Sequence, residues 1–275
     1  MEKVQIIVTG ASGSIGSAAV RALAQRGFGV IMACRNLEKG ERVKSKILNS
    51  LPRADLKLMQ VDMASLKSVN HFADTLKDSG IRLGGVFNNA GTMNRNFTLS
   101  EDGFERTIVV NYIAPYFLTR SLLPLFQPDA HIVNMVSLTC SMAKIDNTFF
   151  EKTEKDFSQL GVYGDSKLAL LLFTVALSQK TEFHVNMADP GVVNSNMISL
   201  GRWFDPLADA LFRPFCKSPE KGAIPAINAL TTDVSGKYFV GKNYRNVNQK
   251  YMSNPKIEWL WETTEKLLFQ KGLSF

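Results

Sequence analysis

The stretch KVQIIVTGASGSIG, Lys3 to Gly16, decides the fold. An apolar run without polar alternation, stopped by a glycine, is how a strand buried on both faces reads. The residues that follow, SAAVRALAQRG (Ser17 to Gly27), space their apolar side chains for a helix and close on Gly27 as a C-cap. Glycines between strand and helix let the backbone bend tightly and approach a pyrophosphate. The helix start adds unpaired N–H groups and the positive end of its dipole. A glycine-rich turn alone is weak, because any tight turn uses the same residues. Its place directly after the first strand is what points to a dinucleotide.

Working outward, strands and helices alternate. GVIMACR (Gly29 to Arg35) reads as a second strand and LEKGERVKSKILNSL (Leu37 to Leu51) as a charged amphipathic helix. LKLMQVD (Leu56 to Asp62) is a third strand, LKSVNHFADTLKDSG (Leu66 to Gly80) a helix, and GGVFNNAG (Gly84 to Gly91) a fourth strand running into a turn. A helical region from about Glu101 to Phe126 leads to AHIVNMVS (Ala130 to Ser137), a fifth strand. VYGDSKLALLLF (Val162 to Phe173) starts the next helix, and FHVNMADPG (Phe183 to Gly191) is a sixth strand broken at Pro190. GKYFVG (Gly236 to Gly241) reads as a late edge strand, and PKIEWLWETTEKLLF (Pro255 to Phe269) as a C-terminal helix with its own apolar stripe. The alternation predicts an α/β protein: a single doubly wound parallel sheet of Rossmann type, helices on both faces, ligands at the carboxyl ends of the strands. With no linker composition, repeat or low-complexity tract, residues 1–275 are expected to form one domain.

A hydrophobic content of 45% is ordinary for a globular core, so disorder is not expected. The net charge of +7 suits an anionic partner, but the basic residues are spread thinly and no nucleic-acid role is expected. Cys34, Cys140 and Cys216 are far apart and odd in number, which argues against a disulfide framework and for a reducing, cytoplasmic setting. The N-terminal residues do not read as a secretion signal, and no uninterrupted apolar run is long enough to predict a membrane span. His71, His131 and His184 show no metal-ligand spacing, so no metal is expected.

Two features carry chemistry. Arg35 closes the second strand about twenty residues beyond the glycine turn, where an acid would bind a ribose hydroxyl. A guanidinium there pairs with a 2′-phosphate, favouring NADP(H) over NAD(H); the alternative is an exposed strand-end arginine. Tyr163 and Lys167 stand four residues apart, on one helix face. They are either an ordinary surface pair or a tuned acid.

These motifs together resemble the short-chain dehydrogenases/reductases, over nearly the whole chain. TGASGSIG is similar to that family's cofactor turn, NNAG to its sheet-stabilising turn, VNMVS to its serine strand, YGDSK to its YxxSK motif and DPG to its nicotinamide loop. IMACRN, VDMASLKSV, SGKYF and the LWE of the last helix resemble the retinol dehydrogenase branch, with the WW-domain oxidoreductases and protochlorophyllide reductases. The long insertion between Ser137 and Tyr163 resembles that branch too. One departure stands out: Ser14 occupies the place of the family's middle glycine, with Gly13 one position earlier.

The resemblance implies a carbonyl–alcohol oxidoreductase, such as a carbonyl reductase or an alcohol dehydrogenase. Tyr163 would be the general acid/base and Lys167 would lower its pKa. Ser137 would hold the substrate oxygen, and Asn111 would relay protons through water to Lys167. It implies cofactor contacts at Gly10, Ser12, Ser14, Ile15 and Gly16, at Arg35, and at Asp62 and Met63 against the adenine. Further contacts fall at Asn89, Ala90 and Gly91, at Tyr163 and Lys167 themselves, and at Pro190, Gly191, Val193 and Ser195. The segment from about 192 to 217 would cover the substrate. Its Trp203, Phe204, Leu207, Leu211, Phe212 and Phe215 suit an apolar molecule, packing onto the body of the protein, or shallow membrane contact. Retinol dehydrogenases usually carry an N-terminal anchor that is not read here, which weakens a retinoid in particular. LALLLFTVAL (Leu168 to Leu177) is apolar all round and needs a second cover. In the family that cover is often another subunit, so a homodimer is expected, although a helix of the same chain would serve. The rival reading is a non-catalytic NADP(H) sensor.

Overall fold

The computed structural model describes residues 4–193 and 216–275. Eight strands form one sheet in the order β3-β2-β1-β4-β5-β6-β7-β8. They are β1 (Gln5–Thr9), β2 (Gly29–Cys34), β3 (Leu56–Gln60), β4 (Leu83–Asn88), β5 (Phe126–Met135), β6 (His184–Asp189), β7 (Lys237–Val240) and β8 (Asn243–Asn246). Every pairing is parallel except the last, β7 with β8. GKYFVG is therefore interior, not an edge strand; the edge is the exposed β8 behind it. Strand order reverses between β1 and β4, so their carboxyl ends diverge and open a crevice there.

All five residues of β1 are buried because both sheet faces are covered. Its side chains alternate between two cores. Ile7 joins the core containing α3 (Leu66–Asp78), α5 (Ala114–Leu122) and α6 (Gln159–Lys180). Ile6 and Val8 join the core containing α1 (Ser14–Gln25), α2 (Leu37–Ser50) and α7 (Pro219–Ala229). Helix starts follow local capping chemistry: Asn36, Ser65, Ser158 and Ser218 each accept a bond from a backbone N–H of the first turn.

The helical region expected from Glu101 begins only at Arg106. Residues before it form a small antiparallel loop, with Leu99 bridged to Glu105 and Gly103 at φ 83°, and the Glu105 side chain caps the helix at Ile108 N. From α4 (Arg106–Ile108) the chain passes through a π turn, Val109–Ile113, into α5.

The second cover for α6 comes from its own chain. Helix α9 (Lys256–Gln270) lies across it, following the short α8 (Gln249–Met252). Trp261 lies 5.9 Å from Phe173, ring centre to ring centre, and Tyr116 of α5 lies 4.6 Å from Phe173. Arg120 sits over Trp261 and Phe275 and is bonded to Glu265 at 2.8 Å, closing the edge of this layer. The apolarity of α6 is thus covered by the alternative expected for it, a helix of the same chain. Two helical stretches, Arg106–Leu125 and Gln159–Lys180, have the length and composition of membrane spans, but both are mostly buried core helices.

Candidate active site

A cleft of about 780 Å³ opens along the carboxyl ends of the strands, centred on the β1/β4 reversal. At one end lies the glycine turn. Gly10 adopts φ 63°, and a Cβ there would come within 3.0 Å of Ala90 Cα. At Gly16 a Cβ would stand 2.3 Å from the Gly10 carbonyl oxygen, so helix and turn can meet this closely only with glycine. Gly13 is the N-cap and provides no side-chain bond, so the first N–H groups of α1, among the cleft-lining Ser14, Ile15 and Gly16, lack helical partners. A phosphate group fits this cradle. Ser14 heads the helix with its side chain exposed, and its carbonyl accepts the Ser17 hydroxyl at 3.0 Å, so the family's missing glycine leaves the turn intact.

Beyond the turn, Arg35 lines the cleft just past the end of β2, as expected. Asn36 and Lys39 join it, and neither was singled out by the sequence reading. The Asn36 side chain accepts from Lys39 N at 2.7 Å, and this cap starts α2 beside the cleft. Asp62 and Met63 line the neighbouring wall, with Asp62 tied into its own turn by a 2.9 Å bond from Ala64 N. Asn89, Ala90 and Gly91 form the opposite lip. Their position rests on Thr9, a residue the motif reading passed over. Its Oγ1 accepts from Asn89 N and Ala90 N, both at 3.0 Å, and donates to Phe87 O at 3.4 Å. Asn89 Nδ2 returns a bond to Thr9 O at 2.8 Å. Below this, Asn88 donates to Thr119 and Asn134, both at 2.8 Å, pinning β4 to β5 and α5.

At the other end stand Ser137, Tyr163 and Lys167, all lining the cleft. Ser137 follows β5 directly; Tyr163 and Lys167 come from the first turns of α6. The Ser137 Oγ accepts from Thr139 N at 3.3 Å and lies near enough to the Tyr163 phenol to favour its ionised form. Lys167 donates to Met135 O at 2.8 Å, and complete burial lowers its pKa to about 8. Burial first, then the neighbouring Cys140 and Asp189, pushes Tyr163 up to about 12 against the lowering by Ser137. In the free protein burial thus outweighs any lowering of the phenol by Lys167, and the lowering also expected from the positive nicotinamide ring applies only with cofactor bound.

Asn111 lies in the π turn, fully buried. Its Oδ1 accepts from Thr92 N at 2.8 Å, and its Nδ2 donates to Thr92 O at 2.9 Å and Ser166 Oγ at 3.0 Å. Both side-chain protons are committed to holding the loop after β4 against α6.

Pro190, Gly191 and Val193 line the cleft after β6, with Gly191 at φ 69°. Asp189, quoted in the motif but not chosen as a site residue, holds them. Its Oδ1 accepts from Gly191 N at 2.8 Å and its Oδ2 from Tyr238 OH at 2.7 Å. Lys217 N donates to Val192 O at 2.9 Å, drawing together the ends of the predicted covering segment. Ser195 and the six apolar residues from Trp203 to Phe215 lie outside the described residues.

A family model described as short chain dehydrogenase matches residues 4–202. The chain belongs to the short-chain dehydrogenase family. Its members are oxidoreductases that act on CH–OH groups with a nicotinamide dinucleotide, and the cradle, cleft and Ser–Tyr–Lys grouping suit that chemistry. This short-chain dehydrogenase is 31% identical to human retinol dehydrogenase 13 over 96% of its own length and 84% of the relative's. It is 29% identical to the WW domain-containing oxidoreductase of Gallus gallus, over 96% of this chain and 67% of that one. A solved short chain dehydrogenase from Shigella flexneri, complexed with NADP, superposes with a TM-score of 0.68 at 22% identity, covering 88% of this chain and 98% of the other.

Proposed function

We propose that this short-chain dehydrogenase uses NADP(H) to interconvert a carbonyl and an alcohol on a small apolar molecule, with Tyr163 as the general acid/base. The convergence of Ser137, Tyr163 and Lys167 at one end of a cleft whose other end is the glycine cradle carries this reading. The bound nicotinamide supplies or accepts the hydride. During reduction Tyr163 Oη gives its proton to the substrate oxygen while Ser137 Oγ orients that oxygen; during oxidation the transfers reverse. The phenol of the free protein is protonated, the state that reduction starts from, and the positive nicotinamide ring would bring its raised pKa back down once the cofactor is bound. Lys167 near pH 8 is poised to return a proton from solvent.

Arg35 and Lys39 at the far end support the phosphorylated cofactor, since two cations there favour a 2′-phosphate over a bare hydroxyl. Met93, Val110, Leu138, Leu160 and Val192 around the catalytic end support an apolar substrate. Leu138, Leu160 and Val192 are each more than half exposed at the rim, a surface that an apolar molecule would cover. The test is a panel of apolar carbonyls followed at the NADPH absorbance band. Tyr163→Phe should lower kcat by about 10²-fold or more while NADPH still binds. Equal turnover in wild type and variant would defeat the assignment and favour the sensor reading.

A further inference from the structure

At the sheet end opposite the cleft, parallel pairing sets His131 of β5 directly beside His184 of β6. About 13 Å of strand separates this level from Met135, so the pair is remote from the catalytic groups. The imidazole rings stack with centres 4.8 Å apart and planes 29° from parallel. Asp233, in the turn between α7 and β7, brings its Oδ1 to 3.6 Å from His131 Nε2. One donor atom from each of the three residues lies within 4.8 Å of the other two.

We infer that His131, His184 and Asp233 form a site for a divalent transition-metal ion of the zinc type, tying β5, β6 and the α7–β7 turn together. Two imidazoles and one carboxylate are the ligand set that zinc and its neighbours prefer, whereas calcium and magnesium favour oxygen alone. Zinc–nitrogen and zinc–oxygen distances of about 2.0–2.2 Å require the donors to close in modestly. Asp233 can close in because its side chain is 84% exposed, and the two imidazoles must turn out of their stack toward a common point. A simple ion pair between His131 and Asp233 explains the arrangement less well: at 3.6 Å the contact is longer than a charge-assisted hydrogen bond, and it gives no part to the adjacent His184 imidazole. Tetrahedral zinc would complete its shell with water on the exposed side.

Untagged protein is titrated with Zn²⁺ by calorimetry and with Co²⁺ by visible absorption. One equivalent of Zn²⁺ should bind and raise the melting temperature. Asp233→Asn and His184→Ala should each weaken binding at least tenfold, His71→Ala should behave as wild type, and NADPH binding should be unchanged throughout. Co²⁺ should show ligand-field bands without a thiolate charge-transfer band. Lack of saturable binding, unchanged affinity in Asp233→Asn, or a thiolate band pointing to a cysteine site would overturn the inference. Should His184→Ala fail to fold, Asp233→Asn decides alone.

Discussion

Replacing Thr9 by valine keeps the β-branched shape and removes one oxygen, and that oxygen holds the cofactor lip. Two backbone donors, Asn89 N and Ala90 N, lose their shared acceptor. Asn89 N keeps its 2.9 Å bond to Phe87 O, so Ala90 N is the donor left without a partner, at a cost of about 1–3 kcal/mol. Ala90 is only half-buried, so water recovers part of this, and the added methyl returns under about 1 kcal/mol. The net loss is about 1–2 kcal/mol. At about 2–4 °C per kcal/mol for a protein of this size class, melting should fall by roughly 2–8 °C. Thermal melts of wild type, Thr9→Val and Thr9→Ser check it. Serine keeps the hydroxyl and gives up only a methyl, so it should lose less than half as much. NADPH affinity should follow the same order, because Asn89 and Ala90 line the cleft. A valine variant within about 0.5 kcal/mol of wild type, or a serine variant equally impaired, would refute the role given to this hydroxyl.

Lys167 is charged in the unfolded chain up to its ordinary pKa but loses its proton near pH 8 when folded. The unfolded state therefore holds more protons between those values, and stability should rise with pH across that window. Urea midpoints of wild type should climb relative to Lys167→Met from pH 8 to 10; parallel curves would count against the burial argument. Arg35→Ala should weaken NADPH binding by about 10- to 100-fold through loss of a charge-assisted bond while sparing NADH. Equal losses for both cofactors, read by fluorescence titration, would remove the 2′-phosphate role. Trp261→Ala should cost about 3 kcal/mol in urea denaturation and uncover the α6 face, read as dye binding and self-association in sedimentation. A variant that sediments as wild type does and stays dye-silent would show that α9 is not the required cover.

The order of strands and helices, the glycine cradle and the Tyr163–Lys167 spacing were all legible along the chain, because each depends on neighbours within a turn or two. Buried strands declare themselves as apolar runs, caps by Asn or Ser ahead of a helix, and a phosphate turn by its glycines. The same local logic placed Arg35 correctly at the end of β2. It missed Lys39, since nothing in the sequence says that the first turn of α2 leans over the cleft. Thr9 and Asp189 escaped for a related reason: their partners, Asn89 and Tyr238, are far away along the chain.

What only the tertiary structure decided was which distant segments meet, and with which side chains. It covered α6 with α9 from the same chain, where apolarity alone could not distinguish a neighbouring helix from a second subunit. It turned Lys167 toward Met135 O and left the phenol desolvated, which raises its pKa in the free protein. It also set His131 beside His184, with Asp233 in reach, from positions that looked unrelated. The physical reason is common to all three. Periodicity and turn chemistry act through neighbouring backbone, whereas strand register and helix docking are settled by burial summed over the whole sheet.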